Sequence, residues 1–110
     1  MPYIDLKDRE QLNPLIDKLA DELVKVHKKY KYDGAFSGLL NYTITRLSLN
    51  IVKNAFGHLR YWLVAMLTGT MHNAADEFYR RIASKYEDKQ MKKSGDVDIY
   101  KEFIEDIEHD

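Results

Sequence analysis

Apolar residues from Leu15 onward recur at steps of three and four: Leu15, Ile16, Leu19, Leu23, Val26 and Tyr30. That stripe predicts an amphipathic helix over about 14–30. Asn13 reads as its N-cap and Pro14 as its first residue, where a missing N–H costs nothing. Residues 1–12 then form an N-terminal arm with a short turn around Asp8 to Gln11. Lys25, Lys28, Lys29 and Lys31 crowd the last turns, which suits the negative end of a helix dipole, and Asp33-Gly34 ends the element. A second helix is predicted over about 38–55, capped by Ser37 and stopped by Gly57. Leu40, Ile44, Leu47 and Ile51 give it a narrow, regular apolar seam.

The third periodic stretch runs over about 58–93. Leu59, Trp62, Leu63, Met66, Leu67, Thr70, Ala74, Phe78 and Ile82 hold one face. Gly69 lies inside it at a cost of roughly 1 kcal/mol against Ala, which suits a close helix neighbour or a bend. Lys85 to Lys93 either continues that helix or makes a separate turn, and Gly95 ends it. Ile99, Tyr100, Phe103, Ile104 and Ile107 mark a short last helix over about 98–108. Strand-like alternation never lasts more than a few residues. The expected fold is therefore all-α: a helical bundle of three main helices, the third continuous, bent or broken, plus a short fourth, in a single domain over 1–110.

Charge modifies this picture locally more than globally. The net charge of −1 leaves no overall field to pull the chain onto nucleic acid or anionic lipid. Locally, residues 96–110 form an acidic extension, seven acids against one lysine, net −6. Residues 80–93 hold six bases against two acids, net +4. The acidic end is expected to meet that stretch or Lys25 to Lys31, in this chain or in a partner chain. No cysteine is present, so disulfides, thiolate metal sites and a cysteine nucleophile are excluded. The start lacks the basic and apolar regions of a signal peptide, and no apolar run approaches the ~20 residues that span a bilayer. The expectation is a soluble, cytoplasmic protein with no membrane partner.

Candidate chemistry is sparse. In "LLNYTITRL", residues 39–47, Asn41 and Thr45 lie along one strip of a helix and Tyr42 and Arg46 along the next, bordering the apolar seam. Such a strip is either a binding face or an ordinary wet flank whose polar groups satisfy one another. "HNAADEFYRR", residues 72–81, adds Glu77, Arg80 and Arg81; acid before base at this spacing favours ion pairs, while adjacent arginines suit a phosphate or carboxylate. His72 and Asp76 stand four apart, a spacing for two metal ligands or for a surface ion pair. A nucleotide pyrophosphohydrolase of the MazG type needs paired carboxylates on facing helices to hold Mg²⁺. Asp17, Asp21, His72, Asp76 and Glu77 are the residues available for it. The motifs GxSxG, GxGxxG and the P-loop are absent, as is a helix-turn-helix signature, which argues against the usual hydrolases and nucleotide folds and against nucleic-acid binding.

"PYI" at 2–4, "NPLI" at 13–16, "LNY-ITRL" at 40–47, "EFYRR" at 77–81, "YEDK" at 86–89 and "GDV" at 95–97 stand in one order. This set resembles a family of small uncharacterised bacterial and phage proteins. The resemblance implies a helical intracellular protein and no activity. His72 stands where that pattern has Glu, and Lys85 where it has Pro. The segment from Val26 to Phe36 is longer, and the tail from Asp98 onward is additional.

The sequence thus points to a non-enzymatic interaction or binding module, a homo-oligomer whose partner is itself or another protein, with no cofactor. Asn41, Tyr42, Thr45, Arg46, Glu77, Arg80, Arg81 and Tyr86 are its candidate binding residues. The alternatives are the Mg²⁺-dependent hydrolase and a phage-type protein that binds small nucleotides or inhibits a host.

Overall fold

The computed structural model describes residues 3–110. They are all-α, as the patterning predicts, with no strand among the described residues. The helices are α1 (Leu6–His27), α2 (Ala35–Phe56), α3 (Tyr61–Phe78), α4 (Ser84–Ser94) and α5 (Asp98–His109). A single π-helical turn, Tyr79–Ala83, joins α3 to α4. The described residues fall into two compact units, one up to Met71 and one His72–Asp110, the boundary lying within α3.

In the first unit α1 and α2 pack as a helical hairpin. α1 starts at Leu6, so residues 6–12 are helix rather than arm, and Pro14 lies inside the helix rather than at its head. Two forces favour the longer helix. Lys7 to Leu12 are mostly strong helix formers, and Asp8 suits the positive end of the dipole. The Arg9 Nε also donates to the Ile4 carbonyl at 2.8 Å, tying the approach to the first turn. These oppose a proline that leaves the Glu10 carbonyl without its helical donor, at a cost of ~3 kcal/mol.

α1 ends earlier than predicted, at His27. The Lys28 N–H donates to Val24 and the Tyr30 N–H to His27, both at 3.0 Å, and tight turns carry the chain into α2. Ser37 is not the cap; Gly34 stands at that position, and the Ser37 N–H donates to the Gly34 carbonyl at 3.1 Å. At the far end the prediction holds. Gly57 takes φ +84°, where a Cβ is strained, and its N–H donates to Lys53. Beyond it the Phe56 and Trp62 rings meet edge to face, centroids 5.4 Å apart, between the buried Val52 and Leu63 in sequence.

Gly69 admits no close neighbour: a methyl there meets no atom within 4 Å. The helical irregularity comes further on. In the second unit the Ser84 N–H donates to the carbonyl of Tyr79, five residues back, which is the π signature. That skips the Arg80 carbonyl, and the Ser84 hydroxyl donates to it instead at 2.7 Å. α4 then runs on through Lys85 to Ser94. It closes at Gly95, φ +86°, whose N–H donates to Met91 at 2.8 Å.

Candidate interaction surface

On α2 the buried or half-buried positions fall on two strips, Ala35, Leu39 and Thr43 along one and Ser48 and Val52 along another. The more apolar seam stays open: Leu40, Ile44, Leu47 and Ile51 are 45, 41, 53 and 53% exposed. Only Ala35, Val52 and Leu63 are buried apolar residues among those described. The half-buried Thr43 hydroxyl is satisfied within the helix, donating to the Leu39 carbonyl at 2.8 Å. Intrahelical bonding of that kind needs no neighbour, so it neither demands nor forbids a partner.

At the turn end of the hairpin the two helices frame an apolar groove. Ala20, Leu23, Val24 and His27 of α1 face Phe36, Leu39 and Leu40 of α2 around a cavity of about 210 Å³. The His27 and Phe36 rings stand edge to face, centroids 6.2 Å apart. His27 Nδ1 is buried there without a hydrogen-bond partner among the described residues. Lys28, Lys29 and Lys31 follow directly, all exposed and none in an ion pair among the described residues; Lys25 is held by Glu22 at 3.0 Å.

The candidate binding residues divide between the units. Tyr42, Thr45 and Arg46 line one shallow cavity of about 260 Å³ with Leu49 and Asn50. Asn41 does not line it; its carbonyl accepts the Thr45 hydroxyl at 3.0 Å. Glu77, Arg80, Arg81 and Tyr86 lie in the second unit, on α3, the π turn and α4. There Arg80 grips Glu77, its Nη2 2.6 Å and its Nε 3.4 Å from the two carboxylate oxygens. Arg80 is thus engaged by an ion pair of its own helix.

Sequence reasoning missed two features here. One is the hydrogen bond from the Tyr79 hydroxyl to the Glu87 carboxylate across the π turn. That bond, reinforced by burial and by the negative charges of Glu87 and Asp88, raises the Tyr79 pKa above the ordinary tyrosine value. A spacing of eight is off the strict helical repeat, and the extra residue of the π turn brings the two together. The other is the His27–Phe36 groove, whose signal was a lone histidine in line with the apolar stripe of α1.

The candidate metal ligands are no better gathered. Asp17 and Asp21 stand on α1 in the first unit; His72, Asp76 and Glu77 stand on α3 in the second. No group of three or more His, Asp or Glu able to hold a metal ion occurs among the described residues. The hydrolase reading therefore finds no site. No helix among the described residues is long and apolar enough to cross a membrane.

No curated protein and no solved structure matches the chain. Residues 1–97 match the model of a domain of unknown function (DUF6899), and the chain belongs to that family. The match stops one residue before α5, leaving the acidic helix outside it.

Proposed function

We propose that this member of the family is a non-enzymatic interaction module that works as a homo-oligomer. One observation carries the reading: α2 leaves its regular apolar seam, Leu40, Ile44, Leu47 and Ile51, in water. The seam from Leu40 to Ile51 is about 17 Å long and about 10 Å wide, on the order of 170 Å². The largest contiguous apolar patch on a soluble protein is often a functional surface. With so few buried apolar residues of its own, the chain gains most by pairing seams, since burial contributes about 25 cal/mol per Å².

In this reading Leu40, Ile44, Leu47 and Ile51 form the dry centre of the contact. Asn41 lies at its polar edge, which sets register more than affinity, while Tyr42, Thr45 and Arg46 stand on the other side of the helix with Leu49 and Asn50. Sedimentation and native mass spectrometry at micromolar concentration test it. The wild type is expected as a dimer or higher oligomer, and Ile44→Glu with Leu47→Glu as a helical monomer by circular dichroism. A wild-type monomer at every concentration overturns the proposal.

A further inference from the structure

We propose that α5 of a second copy seats its apolar face in the α1–α2 groove, with its carboxylates against Lys28, Lys29 and Lys31. The inference rests on the homo-oligomer reading and names the segment that exchanges.

α5 has the pattern of a groove-binding helix. Tyr100, Phe103, Ile104 and Ile107 stand at i, i+3, i+4 and i+7, and all four are exposed, from 51% at Ile104 to 76% at Ile107. The stretch from Asp96 to the end of the chain carries a net charge of −6. On a helical wheel Asp106 and Glu108 flank the apolar stripe on either side. The groove is the complement in both respects. Its walls are Leu23, Val24, Leu39 and Leu40, its aromatic edge is the His27–Phe36 pair, and its rim is a run of exposed lysines. An aromatic ring entering beside Phe36 gains an edge-to-face contact beyond its buried area.

Reciprocity favours a second copy as the occupant. Each chain carries one groove and one α5, so a mutual exchange fills both grooves and closes as a two-fold dimer. Leu40 belongs both to the groove and to the exposed seam, so the two contacts form one continuous surface.

The test is charge reversal with complementation in the full-length chain. Lys28→Glu with Lys29→Glu makes the groove rim acidic; Asp106→Lys with Glu108→Lys makes the helix flanks basic. All four residues are exposed, and circular dichroism checks that each variant keeps its helices. Each variant alone is expected to dissociate at a concentration at least tenfold higher than wild type. An equimolar mixture is expected to regain wild-type association, because each groove in the mixed dimer then faces a helix of opposite charge. Variants that associate like wild type overturn this inference and leave the homo-oligomer reading standing. So does a mixture that stays as weak as its components. A wild-type monomer overturns both.

Discussion

At the scale of single residues, the Tyr79–Glu87 bond makes a prediction with a definite sign. The hydroxyl donates, so the bond needs neutral tyrosine, and the folded pKa is raised. A raised pKa means that the contribution is complete below the ordinary tyrosine value of about 10 and is lost as pH climbs through the higher folded value. Thermal melts of wild type and Tyr79→Phe should therefore differ at neutral pH and converge in strong alkali. Equal melts throughout would show that the bond contributes nothing. Gly69 gives a second residue-scale test. It sits inside α3 with open space where a methyl would be. Gly69→Ala should therefore stabilise the protein by roughly 0.5–1 kcal/mol through helix propensity and a less free unfolded chain. A destabilised variant would mean that something does approach that position closely.

At the scale of elements, what was legible in the sequence depended on whether the decisive force was local. Gly57 and Gly95 end their helices where expected because only glycine takes their positive φ cheaply, a property of one residue. The start of α1 was misread because Asn13-Pro14 is a strong local signal that several weaker ones outweigh: the helix formers before it, the Asp8 charge and the Arg9–Ile4 bond. Pro14→Ala decides between the two accounts. Inside a helix the alanine restores the hydrogen bond to the Glu10 carbonyl and should raise stability by up to ~3 kcal/mol. At a helix head it would restore nothing, and the loss of proline rigidity would lower stability by up to ~1 kcal/mol. Chemical denaturation of the two proteins separates these outcomes. The π turn was invisible because one inserted residue barely disturbs the apolar period. Its stability depends on a hydroxyl that happens to reach a skipped carbonyl. Ser84→Ala removes that bond and should cost about 0.5–1.5 kcal/mol, read by the same denaturation.

At the scale of the molecule, periodicity located the apolar stripes but could not say which of them turns inward. On α2 the stripe expected to be core is the exposed one, and the candidate site residues Tyr42, Thr45 and Arg46 line a cavity on the other side of the helix. Glu77, Arg80, Arg81 and Tyr86 were grouped with them only because polar clusters look alike in one dimension. If the exposed seam is where copies meet, folding and association are one equilibrium, and stability must depend on concentration. For a dimer that unfolds as it dissociates, each tenfold rise in protein concentration adds about 1.4 kcal/mol. In a dimer of two such chains each kcal/mol moves the midpoint by roughly 2–4 °C. The Tm should thus climb by several degrees per decade of concentration in the wild type. It should stay flat in the Ile44→Glu, Leu47→Glu variant, whose seam repels itself. A Tm independent of concentration in both would place the stability within the single chain and leave the seam without a role in holding copies together.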